Sequence, residues 1–93
     1  MPDAVAAVDL GATSGRVMLG YVGHNELRLA PVSRFPNGPI EQADGLHWNA
    51  TDLFTHVCTG IASAARAEPD IVSVAVDSWA VDYSLLSFGR MIA

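Results

Sequence analysis

Asp9-Leu10-Gly11-Ala12-Thr13-Ser14-Gly15-Arg16 joins two apolar runs, and the residues after it read as a strand, not a helix. The run before it, Ala4 to Asp9, is short and almost wholly apolar, which suits a strand buried on both faces. Arg16 to Val22, RVMLGYV, continues as a second strand, and Gly23, His24 and Asn25 supply turn residues. The chain therefore opens on a hairpin with a glycine-bounded loop. Two nucleotide motifs are excluded at once. A Walker loop needs Gly-Lys-Ser/Thr, and both it and the dinucleotide fingerprint need a helix directly after the glycines.

The remainder extends this start. Glu26 to Phe35 alternates Leu27, Leu29 and Val32 with polar residues, and Pro31 should break the ladder or place this strand at an edge. Pro36-Asn37-Gly38-Pro39 ends it, and the residues up to Leu46 read as a polar surface loop. Asn49 or Thr51 can cap a helix over Thr51 to Ala67, whose apolar stripe is Leu53, Val57, Ile61 and Ala65 with Phe54, Cys58 and Ala62 beside it. Pro69 stops the helix. Ile71 to Val76 is a β-branched run that should return to the sheet by a crossover, followed by a further strand over Tyr83 to Phe88 and a turn at Gly89-Arg90. An antiparallel three-stranded meander, a helix and another strand describe the start of a ribonuclease-H-like α/β domain of the actin, Hsp70 and hexokinase type. Rossmann and flavodoxin-like folds would alternate strand and helix from the outset.

Composition narrows the partners. A chain of 93 residues holds one small domain at most, and with 51% hydrophobic and 16% charged residues it carries material for a core. The basic residues are all arginines, Arg16, Arg28, Arg34, Arg66 and Arg90, spread over a chain of net charge −5. No basic patch exists for nucleic acid or anionic lipid. The first residues lack a charged region ahead of their apolar run, and no apolar stretch nears the roughly 20 residues of a membrane span, so a cytoplasmic protein is expected. Cys58 is the only cysteine and reads as a small buried hydrophobe; His24, His47 and His56 lack ligand spacing.

Two segments can carry chemistry. In the first, Gly11 and Gly15 allow positive φ and close ligand approach, so that successive amides form a nest for phosphate oxygens. Thr13 and Ser14 add hydroxyl donors, Arg16 a permanent cation, and Asp9 a ligand for hydrated Mg²⁺. The competing reading is a tight hairpin turn in which Asp9 and Thr13 only cap backbone groups. The second segment, Asp77-Ser78-Trp79-Ala80-Val81-Asp82, also follows a buried strand, and ligands collect beyond the carboxyl ends of such strands. Asp9 and Asp77 could then face one cleft. Trp79 offers an apolar face to a sugar ring and Ala80 lets amides approach hydroxyls; the alternative has Trp79 in the core and Asp82 in a solvated turn. Trp48 reads as a packing plug, and Arg66 and Glu68 as a solvated helix end.

Taken together, the chain resembles the FGGY carbohydrate kinases. The resemblance is carried by Ala7 to Leu19 (AVDLGATSGRVML), Arg34-Phe35-Pro36-Asn37-Gly38, His47-Trp48-Asn49 and Asp77 to Tyr83 (DSWAVDY), in the family's order. It implies an ATP-dependent kinase acting on the 1-hydroxyl of L-rhamnulose, or of a related ketose such as fuculose or xylulose, with Mg²⁺ as cofactor. Gly11, Ala12, Thr13, Ser14, Gly15 and Arg16 would line the ATP phosphates, Asp9 would orient the metal, and Asp77, Trp79, Ala80 and Asp82 would border the sugar. The family usually has glycine at the position of Ala80, so the added methyl bears on sugar fit. Such kinases have two domains, with the catalytic base and adenine pocket beyond residue 93. Residues 1–93 would then be a partial amino-terminal domain with no catalytic residue of its own, inactive alone or binding only nucleotide.

Overall fold

The structure is a computed structural model and describes residues 3–80, 82 and 84–91. Strands β1 (Asp3–Leu10), β2 (Ser14–Gly23) and β3 (Glu26–Pro36) form the expected antiparallel meander. Helix α1 (Ala50–Ala67) leads to β6 (Ile71–Ser78), which pairs parallel to β1 in a sheet of order β3-β2-β1-β6. The crossover expected from an apolar run after a helix is thus present. The result is a mixed α/β sheet compatible with the start of a kinase domain.

One face of this sheet holds the core. Ala4, Ala6 and Val8 of β1 and Val17 and Leu19 of β2 point to the helix side and are buried with Phe35, Leu53 and Ala64. Period-two alternation is visible in β1, where Val5 and Ala7 on the opposite face are only half-buried and Asp9 is exposed. Burial of β1 on both faces is therefore not what the described residues show; no element covers its second face.

Helix α1 begins at Asn49, whose side chain accepts a hydrogen bond from the Asp52 amide at 3.1 Å. This resolves the choice of cap. The helix buries Leu53, Gly60 and Ala64 with Val57 and Ile61 half-buried, whereas Phe54, Cys58, Ala62 and Ala65 lie exposed. The expected stripe was right at Leu53, Val57 and Ile61 but rotated too far toward Phe54 and Cys58. Gly60 sets the closest approach: a Cβ there would stand 2.4 Å from Cγ2 of Val17, so the helix backbone rests directly on β2.

The residues expected to form a loop before Leu46 fold as a hairpin. Strands β4 (Pro39–Gln42) and β5 (Gly45–Trp48) pair antiparallel, with Gly45 at φ 129°. At its turn His47 Nε2 lies 2.8 Å from Asp44 Oδ1, and that hydrogen bond first, then one from the backbone, lowers the Asp44 carboxyl below its ordinary value. After β6, among the described residues, β7 (Leu86–Ser87) and β8 (Arg90–Met91) pair around a turn at Phe88-Gly89. The strand expected from Tyr83 to Phe88 reduces to two residues here, and Tyr83 itself lies outside the described residues. Pro31 acts as expected: β3 is an edge, and its ladder with β2 shifts register between Val17 and Met18, opposite Ser33 and Pro31.

Candidate functional site

The loop Gly11 to Ser14 is held closed from three directions. Gly11 N–H donates to the Ser14 carbonyl at 3.0 Å, and Asn37, at the end of β3, donates its amide N–H to the Thr13 carbonyl at 3.1 Å. Asn37 Nδ2 also donates to the Gly11 carbonyl at 2.8 Å, while its Oδ1 accepts from the Gly38 amide at 2.9 Å. Asn37 thus fixes the loop from outside, a role its place in a strand-ending Pro-Asn-Gly-Pro did not reveal.

The glycines act differently from expectation. Among the described residues, positive φ at glycine is confined to Gly45 and Gly89, so neither Gly11 nor Gly15 uses the left-handed region. Both are required by contact instead. A Cβ at Gly11 would lie 2.9 Å from the Ser14 carbonyl oxygen, and one at Gly15 would lie 2.3 Å from Cε2 of Phe35. The loop is narrow because its backbone folds on itself and on an aromatic ring. Ala12 and Thr13 stand exposed at its tip, Ser14 half-buried at its base.

Strand pairing assembles the charged residues beside this loop. Asp9 is the cross-strand neighbour of Arg16 on β2 and the parallel neighbour of Asp77 on β6. All three line one open cleft of about 360 Å³, floored by Ala7, Met18 and Ala75. The expectation that Asp9 and Asp77 face one cleft is met. Arg16 Nε lies 3.6 Å from Asp9 Oδ2, and both side chains are about half exposed, so the pair is a loose one that an incoming anion or cation can separate. Arg34 is the partner of Arg16 across β2 and β3, which places two guanidinium-bearing residues opposite each other beside the loop. Two carboxylates on adjacent strands suit Mg²⁺, which keeps several waters and takes one or two protein carboxylates beside phosphate oxygens. Among the described residues no group of three or more His, Cys, Asp or Glu gathers, so no all-protein metal cage competes with that arrangement.

The second segment builds a different corner. Asp82 Oδ2 accepts hydrogen bonds from Nε1 of both Trp48 and Trp79, the former at 2.9 Å, and the two indoles meet with centroids 4.5 Å apart at 45°. Trp79 also packs against the core, as the core reading of it expected. Asp82 is no merely solvated turn residue, and Trp48 is more than a plug: an open cleft of about 560 Å³ lies against Trp48 and Asp82. Ala80 is exposed, and Asp77 Oδ1 accepts from the Ser78 amide at 2.9 Å. Val81 lies outside the described residues. His56 stacks on Phe35 at 4.8 Å, and Cys58 is exposed on the far side of the helix, in contrast to the burial expected of it.

Fold and site together define a class: a mixed α/β sheet whose parallel strand pair carries two aspartates at one end, beside a narrow glycine loop and two arginines. No protein-family model matches the chain. Curated relatives do match. A rhamnulokinase of Bacteroides thetaiotaomicron is 41% identical over 80 residues, covering 86% of this chain and 16% of the relative. One of Oceanobacillus iheyensis is 39% identical over 85 residues, covering 91% and 18%, and one of Pectobacterium atrosepticum is 41% identical over 86 residues, covering 88% and 17%. Over most of its length the chain is thus similar to proteins named rhamnulokinase, which are carbohydrate kinases, and it spans only 16% to 18% of the length of these relatives.

Proposed function

We propose that this chain supplies the phosphate loop and one border of the sugar site of an ATP-dependent kinase that phosphorylates the 1-hydroxyl of L-rhamnulose. The observation that carries this reading is the convergence of Asp9, Arg16 and Asp77 on one cleft beside the Gly11 to Ser14 loop. Phosphoryl transfer depends on positioning and on neutralising charge over the transferred group, and these are the groups such a task needs.

Each residue has a part. Arg16 pairs with a phosphate oxygen once its loose contact with Asp9 opens, and Ala12, Thr13 and Ser14 offer amides and hydroxyls at the loop tip. Asp9, with Asp77 beside it, would hold hydrated Mg²⁺, which when bound would offset the negative charge of the phosphates. Asn37 keeps the loop at its narrow width. Asp77 and Asp82 are not assigned the catalytic base: the first neighbours Asp9 and the second already accepts from two indoles. General-base help of roughly 10²–10⁴-fold must then come from residues outside this chain. The sheet reads as part of a larger ribonuclease-H-like domain of the FGGY type, paired with a second domain. A cytoplasmic location, with ATP at hand, accompanies the reading. Among the described residues no helix is long and apolar enough to cross a membrane.

Titration of the chain with Mg·ATP tests the phosphate half. Binding should fall at least tenfold in Asp9→Ala and in Arg16→Ala; binding untouched by both would sink it. The sugar half is tested by a coupled assay on a kinase carrying this segment, in which preference for L-xylulose or L-fuculose over L-rhamnulose would displace the substrate assignment.

A further inference from the structure

Trp48 closes β5, Trp79 follows β6 and Asp82 lies three residues on, yet one carboxylate oxygen, Asp82 Oδ2, accepts from both indole N–H groups. Trp79 is anchored on the core, so its N–H is a fixed post. Asp82 is tied to that post and Trp48 is tied to Asp82. Orientation therefore passes from the core, through a carboxylate, to a ring on an otherwise independent hairpin.

What this fixes is a wall of a cleft. About 560 Å³ of open space lies against Trp48 and Asp82, with Pro39, Leu46, His47 and Met91 around it, a volume within the ordinary range for small-molecule sites. The lining is mixed: an indole and aliphatic side chains together with a carboxylate and an imidazole. Asp82 Oδ1 is engaged by neither indole. A carboxylate repels phosphate and accepts from hydroxyls, so the cleft suits a neutral ligand with an apolar C–H face and hydroxyl donors.

We propose that Trp48 is a sugar-stacking residue and Asp82 the positioning residue that holds it, forming a recognition corner for the non-phosphorylated end of a ketose. The proposal rests on the kinase reading above and extends it to Trp48 and to the β4–β5 hairpin.

The chain contains two tryptophans, both in this cluster, so tryptophan emission, excited selectively over that of the tyrosines, reports the corner alone. Titration of the 93-residue chain with L-rhamnulose should give a saturable change in emission. Trp48→Ala, followed by calorimetry, should weaken binding about tenfold or more, a loss in keeping with base or sugar stacking on an aromatic face. Trp48→Phe should lose less, because a ring remains while the N–H is gone. Asp82→Ala should shift the emission of the unliganded chain and weaken sugar binding, and Asp82→Asn, which keeps an acceptor, should recover part of both. Sugar affinity unchanged in Trp48→Ala, or no ketose-dependent change in the unmodified chain, overturns the proposal. Far-UV circular dichroism identifies any variant that fails to fold, in which case Trp48→Phe decides. The Mg·ATP titration is read separately: its failure removes the kinase reading, whereas its success with a silent sugar titration removes only this corner.

Discussion

Gly15 shows how a residue can be chosen by contact instead of conformation. Its backbone avoids the left-handed region, and Phe35 occupies the space a side chain would need. Gly15→Ala must push aside a ring that is 97% buried in effect, since Phe35 is only 3% exposed and is stacked on His56. Overpacking of this kind costs about 1–3 kcal/mol, which urea denaturation would measure as a lower midpoint; an unchanged midpoint would show that Phe35 moves freely. Asn37 makes the complementary case. Asn37→Ala removes the side-chain bond to the Gly11 carbonyl and should cost about 0.5–1.5 kcal/mol while speeding amide exchange at Ala12 and Thr13. The sequence marked the glycines as special because small residues bounding a turn are recognisable in one dimension. Asn37 was invisible as a clamp because its bond to Gly11 spans 26 residues, and no local pattern records such a partner.

At the scale of elements, legibility followed length and periodicity. Strands β1, β2, β3 and β6 and the helix were readable because each repeats its apolar residues over several turns or pleats. The β4–β5 hairpin was not, since PIEQ and GLHW are four residues each and neither alternates cleanly. A signal was present in Asp44-Gly45, a dipeptide favoured in tight hairpin turns. The hairpin matters because it carries Trp48. Helix α1 depends on its cap: Asn49→Ala frees the Asp52 amide and should lower stability by about 0.5–2 kcal/mol, with a matching loss of midpoint in thermal melts followed at 222 nm. An equal melt would mean that water replaces the cap without cost. At the hairpin turn the pH dependence has a defined sign. Asp44 is lowered in the folded chain by its bond from His47, so whatever stability it adds is present above its unfolded value and is lost as pH falls through the folded one. His47→Ala should raise the Asp44 titration, read by NMR, toward the ordinary carboxylate value, with the backbone bond still holding it below.

The molecule as a whole is less closed than its core suggests. Its accessible surface is 6772 Å², where a compact monomer of this mass has about 5,200 Å². The radius of gyration is 15.5 Å against about 12 Å for a compact domain of the same length. The excess, roughly 1,600 Å², is about twice the 800 Å² or so that one partner contributes to a standard protein interface. Part of it is apolar and gathers on one strand. On β6, Val74 and Val76 are 48% and 58% exposed, although their register with Ala6 and Val8 places them on the same face as the core, and Val72, at the register shift, is 63% exposed. Helix α1 packs over β2, β3 and β1, and on β6 Ile71 joins the core while the valines do not. This supports the reading of the sheet as part of a larger one, and it has a consequence in solution. The folded chain should bind the dye ANS in native buffer, because a contiguous apolar face is open to it. Replacing Val72, Val74 and Val76 together by threonine keeps side-chain shape and β-branching while adding hydroxyls to positions already facing water. Dye fluorescence should then drop by at least half, with the far-UV spectrum unchanged and the urea midpoint little altered. Undiminished dye binding in the folded triple variant would locate the sticky surface elsewhere, on the opposite face with Leu27 and Leu29, and would leave β6 without a claim to a missing neighbour.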